Sequence, residues 1–301
     1  MIRTPRAALL AALLAVPAVA SAQRLPGRDL LDFPLGTIAE APALAGLAAG
    51  GLHNPAALHI PDARRLRLSA AQLNASADQG VSGQVASAEL RVRPRTIVGL
   101  SIARATVGQL LRTDEGDPTA VGSIVYDATV VSATAAHRVL PKLSIGAAAR
   151  YRLGRQDTLS TGAFGADLGI VADQLTWVDA RVGVSTYLWR PDAVRFDRPG
   201  FNAAVDARYA GRDREHEARG GYSYTRTGSG SAEHYVFTSG RLRNVEGRVG
   251  SARWSGADGA EWRMRLGVGL HYARFSVGVA REESGDVLDP MYQFTISSVF
   301  K

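Results

Sequence analysis

The chain has 301 residues, no cysteine and a formal net charge of +7. Without cysteine there is no disulfide and no zinc-thiolate or thiol chemistry, and because Lys142 and Lys301 are the only lysines the positive balance is carried by arginine. The arginines are spread singly instead of being gathered on a basic helix, which argues against a nucleic-acid partner.

Met1 to Ala22 carries Arg3 and Arg6, an apolar run from Ala7 to Val19, and the small residues Ala20-Ser21-Ala22 before Gln23. A positive start, a short apolar middle and a small-residue cleavage point predict a signal peptide over residues 1–22. The mature chain then leaves the cytoplasm, and no later stretch is apolar for long enough to be a membrane helix.

Residues 23–62 differ in character from the rest of the mature chain. They hold Pro26, Pro34, Pro42, Pro55 and Pro61 and a small-residue run from Ala39 to Gly51, with no two-residue alternation. A short mixed segment ahead of a barrel is expected to sit inside it as a plug.

From residue 63 to 301 the pattern is that of strands. In Trp262 to Tyr272, the even positions Trp262, Met264, Leu266, Val268, Leu270 and Tyr272 are apolar, and the odd positions are Arg263, Arg265, Gly267, Gly269 and His271. A period of two is a strand, and an apolar face bounded by aromatic rings suits a membrane crossing. Leu143 to Leu153, Phe164 to Ile170, Val178 to Leu188 and Phe201 to Tyr209 sort likewise. A soluble sandwich would also alternate, so the connections decide. Short turns are expected near Pro94, Pro141, Asp173, Asn244 and Ala273. Longer loops are expected at Asn74–Gly80, Gly108–Thr119, Gly154–Thr161, Arg190–Gly200, Thr227–Ala232, Gly256–Ala260 and Glu282–Pro290. That succession of short and long is what a membrane barrel shows, with one exception: the join at Gly211–Glu217 is longer than the scheme wants.

The predicted architecture is therefore all-β: a transmembrane antiparallel up-and-down β-barrel of about fourteen strands with a short N-terminal plug, in the outer membrane and in contact with its lipid. Arg150, Arg152, Arg181, Arg263, Arg265 and His271 are expected to face the lumen. The strands around residues 121–140, 232–242 and 245–256 alternate poorly. Catalysis and metal binding find little support: His53, His59, His137, His216, His234 and His271 are scattered without ligand spacing. Asp114-Glu115-Gly116-Asp117 lacks the closing glutamate of a calcium loop, and Asp213 to Glu217 reads as a solvated turn. No cofactor is expected.

Leu52-His53-Asn54-Pro55-Ala56-Ala57-Leu58 lies just ahead of the first strand. It resembles the N-terminal motif of the FadL-like outer-membrane proteins, including their PorV/PorQ branch, with Asn54, Pro55 and Ala56 matching. Val121 to Gly169 is similar to that branch as well, with Tyr126-Asp127, the Pro141 to Gly146 hairpin and Ala166-Asp167-Leu168-Gly169. The arginine and Gly-Met-Gly that often precede the motif are absent; Leu44-Ala45-Gly46-Leu47 stands there instead. The resemblance implies passive transport of small hydrophobic molecules. Asn54, Pro55 and Ala56 would form the plug's anchoring turn, with Phe33, Leu35 and Leu52 lining a pocket. The PorV/PorQ side implies instead a role in protein export or surface attachment, with exported proteins as partners. The aromatic ending, Tyr292 to Phe300, resembles outer-membrane strands read by the barrel-assembly machinery, although Lys301 follows the last ring.

Overall fold

The computed structural model describes residues 34–46, 51–61, 63–75, 80–108, 110–114, 117–175, 179–189, 200–210, 216–227, 230–256, 259–284 and 290–301. The expected signal peptide, Phe33 and most of the Asp213 to Glu217 cluster lie outside them.

The strands are β1 Leu66–Asn74, β2 Val81–Arg93, β3 Thr96–Val107, β4 Leu111–Asp114, β5 Asp117–Ser123, β6 Tyr126–Leu140, β7 Leu143–Gln156, β8 Leu159–Ala172, β9 Ala180–Trp189, β10 Gly200–Ala210, β11 His216–Arg226, β12 Ala232–Leu242, β13 Val245–Gly256, β14 Gly259–Tyr272, β15 Phe275–Ser284 and β16 Met291–Phe300. All but β4 and β5 form one closed antiparallel barrel of fourteen strands, in which β3 pairs with β6 and β1 closes the ring on β16. The closing register runs from Leu66 opposite Phe300 to Asn74 opposite Tyr292. Closure leaves no unpaired strand edge, which is the condition for a sheet to sit in hydrocarbon.

The period-two pattern sets the two faces. On β14 the whole series Trp262, Met264, Leu266, Val268, Leu270 and Tyr272 points outward, while Arg265, Gly267 and Gly269 are buried inside. Leu100, Phe164, Leu168, Val236, Phe294 and Ile296 extend the outer apolar belt around the barrel. Charges on the outer face sit toward strand ends: Arg104 of β3 pairs with Asp127 of β6 at 3.0 Å, and Arg281 stacks on Tyr292.

The connections correct several expectations. Gly154–Thr161 is not a long loop: β7 and β8 run on to a two-residue turn at Asp157 and Thr158. The connection around Asp173 is longer than expected, because β8 ends at Ala172 and β9 starts at Ala180; Val178 lies outside the described residues. The Gly108–Thr119 loop contains the β4-β5 hairpin, β14 already starts at Gly259, and β15 continues to Ser284. Residues that alternate poorly in β6 do so for a physical reason. Its inward side chains Ala128, Val130 and Ala136 are buried and apolar, so both faces read as hydrophobic.

Candidate functional site in the barrel lumen

Asn54 organises the lumen. It caps the 3-10 turn Pro55–Ala57 from an extended backbone (φ −147°, ψ 111°), its Oδ1 accepting from Ala56 N at 2.9 Å. Its Nδ2 donates to Ala43 O at 2.7 Å and to Ile170 O of β8 at 3.4 Å. One fully buried amide thus ties its own turn, the preceding segment and the barrel wall together.

The neighbours repeat this pattern. The His53 carbonyl accepts from Ser185 Oγ at 2.7 Å, Tyr187 Oη at 3.0 Å and Asn202 Nδ2 at 3.3 Å, all inward groups of β9 and β10. Arg150 donates to Leu52 O and pairs with Asp167, Arg67 donates to Gly46 O, Arg91 donates to Ile60 O, and Arg248 pairs with Glu40. On the far side Gln293 Oε1 accepts from Ile38 N at 3.4 Å. Residues 34–46 and 51–61 are therefore held by inward side chains from strands around the whole ring. The wall makes room for them with glycine: a Cβ on Gly169 would stand 3.0 Å from Pro55 Cδ, and one on Gly146 would collide with the Pro55 backbone.

His53 Nε2 lies 2.9 Å from Leu35 O. Burial pulls its imidazole pKa down to about 4, the Leu35 carbonyl opposing this and the Arg150 charge adding to it. It is neutral at physiological pH.

The lumen is chemically divided. Leu35, Ile38, Ala39 and Leu52 of the N-terminal segment pack on Ala71, Leu73, Val85, Ala103, Ala105, Ala128, Ala280 and Met291. These wall residues lie in the halves of β1, β2, β3, β6, β15 and β16 away from the short turns. Beside this cluster, from β12 to β15, the wall is ionic, with Glu282 directly opposite Met291 in the ladder. Arg265 donates to Glu233 at 2.6 and 2.8 Å and to Glu282 at 2.5 Å, and lies over the Tyr235 ring; Arg263 contacts Glu261, Glu282 and the Trp254 ring. Arg181 donates to Asp206 Oδ1 at 2.9 Å. A narrow cavity between Glu40 and the short-turn halves of β13 to β16 is lined by His271, Ser276, Thr295 and Ser297. There His271 bonds Ser276 Oγ at 2.9 Å and Glu246 Oε2 at 3.0 Å.

Of the residues singled out from sequence, Asn54, Pro55 and Ala56 form the capped turn, and Leu35 and Leu52 join the apolar cluster. Arg150, Arg152, Arg181, Arg263, Arg265 and His271 all face inward. They do not form one site: Arg150 grips the segment, Arg263 and Arg265 belong to the ionic wall, and His271 lines the cavity. The sequence reading set His53 aside among the scattered histidines and did not single out Arg67, Arg248 or Gln293. The sequence also led us to expect that mid-strand glycines on the lumen side leave room for a plug or a neighbouring backbone, and Gly146 and Gly169 stand against Pro55.

No protein-family model matches the chain, and no curated protein matches it. Its fold is similar to that of a monoaromatic hydrocarbon channel, CymD: 11% identity, TM-score 0.61, covering 88% of this chain and 97% of that one. It is also similar to the Pseudomonas putida toluene transporter TodX: 10% identity, TM-score 0.55, covering 86% of this chain and 96% of that one. At these identities the likeness is one of fold. The class is thereby defined: a transmembrane β-barrel built like bacterial outer-membrane proteins. Within that class, this chain is a fourteen-stranded barrel with residues 34–46 and 51–61 bonded to its inward side chains.

Proposed function

We propose that the barrel passes small hydrophobic molecules across the outer membrane in the manner of the FadL-like proteins, with the N-terminal segment as its plug. The observation that carries this reading is the apolar cluster of Leu35, Ile38 and Leu52 with Leu73, Val85, Ala103 and Met291. It is the largest of three apolar clusters in a lumen that also carries ion pairs, and it is where an apolar solute would lose least on leaving water. The cluster lies toward the longer loops, so a solute entering there meets it before the capped turn at Asn54. The hydrocarbon channels of similar fold support the same reading.

The test is uptake of a labelled monoaromatic hydrocarbon by cells carrying the barrel in their outer membrane. Leu73→Gln, which makes the cluster polar, is expected to lower uptake about tenfold, in keeping with a desolvated amide costing roughly 1–3 kcal/mol. Uptake equal to the parent in a variant that still shows the heat-dependent gel shift of a folded barrel overturns the proposal.

A further inference from the structure

We infer that the outer face of β11 to β13, at the long-loop end, binds the phosphate group of a lipid in the outer leaflet. The site consists of Arg226, His234 and Arg253 set in a band of aromatic rings.

Strand register brings these residues together. Tyr224 of β11 stands opposite His234 of β12, His234 opposite Arg253 of β13, and Arg253 opposite Trp262 of β14. Arg226 follows two residues after Tyr224 and stands opposite Ala232. Side chains two apart on a strand share a face. Arg226 therefore shares its face with Tyr222, His234 with Val236, and the row of Arg253 with Trp262, all exposed members of the outer belt.

The level of the site follows from the rows around it. One row nearer the middle of the barrel the outer wall reads Val205, Tyr222, Val236, Ser251 and Met264. At the site itself the Tyr224 ring lies 6.4 Å from that of Phe201 and 5.1 Å from that of His234, with Trp262 beyond Arg253. Aromatic rings gather in such barrels where hydrocarbon gives way to headgroups. The two arginines stand at that boundary.

This sector differs from the others in lacking negative charge. Elsewhere toward the long loops the outward arginines are matched: Arg104 pairs with Asp127 at 3.0 Å, Arg155 stands opposite the same Asp127, and Arg281 pairs with Glu283 at 2.5 Å. The ladder neighbours of Arg226 are Phe201 and Ala232, and those of Arg253 are His234 and Trp262. None is acidic. Glu233 and Glu261 lie on the other face of their strands, against Arg265 and Arg263 in the lumen.

The chemistry of the three groups selects a phosphate. Two strand spacings and one side-chain repeat place the Arg226 and Arg253 Cα atoms roughly 12 Å apart, close enough for two extended arginines to meet on one anion. A guanidinium offers phosphate a pair of parallel N–H donors. His234 stands on the strand between them, its Nδ1 2.6 Å from the Tyr222 hydroxyl. With that hydroxyl donating, Nε2 carries the ring proton and is a third donor. Long loops lie outside in outer-membrane barrels, so the phosphate is that of an outer-leaflet lipid, whose acyl chains run along Val236 and Met264. A soluble anion gains no such contact.

The test uses the whole barrel, purified in a neutral detergent and titrated with diphosphoryl lipid A, the adducts being counted by native mass spectrometry. Each variant is first shown to be a folded barrel by its heat-dependent gel shift. Arg226→Gln/Arg253→Gln is expected to weaken binding about tenfold or more, since each basic side chain near a lipid surface contributes about fivefold. The reference variant Arg104→Gln/Asp127→Asn, from a charge-matched sector, should bind as the parent does. Dephosphorylated lipid A should bind the parent no better than diphosphoryl lipid A binds the double variant, and excess inorganic phosphate should not displace the lipid. Equal binding by the parent and Arg226→Gln/Arg253→Gln overturns the inference, as does an equal loss in the reference variant or displacement by inorganic phosphate. The site lies outside the lumen, so the outcome does not depend on whether the barrel carries hydrophobic molecules.

Discussion

Asn54 shows what a single side chain decides in this protein. Its carbonyl oxygen caps the turn and its amide bridges Ala43 O and Ile170 O, so each of its polar atoms is used in a place that water does not reach. Asn54→Ala removes a cap worth about 1 kcal/mol and leaves buried groups without partners at roughly 1–3 kcal/mol each. The expected loss in seating of the turn is about 3 kcal/mol, and amide hydrogen exchange at Ala56 and Ala57 should speed up by about two orders of magnitude. Asn54→Asp keeps the acceptor but sets a buried carboxylate oxygen against the Ala43 and Ile170 carbonyls, so it should lose at least as much as the alanine variant. Unchanged exchange in the alanine variant would mean that packing of Pro55 against Gly146 holds the turn without the amide. The Asn-Pro-Ala string was visible in the sequence. Its partners were not, because Ala43 and Ile170 contribute only backbone carbonyls, which no residue type announces.

At the scale of the element, the N-terminal segment is held by bonds from many strands, and His53 adds a dependence on pH. Its imidazole titrates near 4 when seated, against an ordinary value of 6.5. Once released, the ring binds a proton that the seated ring does not, so seating weakens as pH falls below about 6.5 and the whole loss is reached below about 4. Above pH 6.5 the ring is neutral in both states and contributes no pH dependence. Limited proteolysis of the segment is therefore expected to be faster at pH 4.5 than at pH 7.5, and His53→Gln should flatten that difference. A difference that survives in the glutamine variant would move the effect to other groups. Strand boundaries belong to this scale as well. Polar residues around Gly154 to Thr161 read as a loop, yet Gly154 is buried inside and the sheet continues to Gln156, because ladder hydrogen bonds extend a strand beyond its apolar stretch.

For the whole molecule, closure of the ring is what makes outward apolar side chains useful: they form one continuous belt only when no strand is missing. Val268 stands outward on β14, well inside the belt. Val268→Arg is expected to cost about 2–4 kcal/mol in denaturant unfolding from lipid bilayers if Val268 lies near the bilayer midplane, whereas Val268→Ala should cost under about 1.5 kcal/mol, because the site faces fluid lipid and not a packed core. Equal stability of the arginine variant and the parent would place Val268 outside the hydrocarbon.

The sequence by itself determined the side-chain period, hence the strands, their inward arginines and outward apolar faces, and the break in character near residue 62. Those are local properties, written in residues one or two positions apart. Only the tertiary structure decided that β3 pairs with β6 around an inserted hairpin, that residues 34–46 and 51–61 dock in the lumen, and that Ser276, Ser297, Ser69, Ser87, Ser101 and Ser132 from six strands fall in one row. Each of these depends on stagger between strands distant in the chain, and stagger is set by ring closure, which leaves no mark on any single stretch.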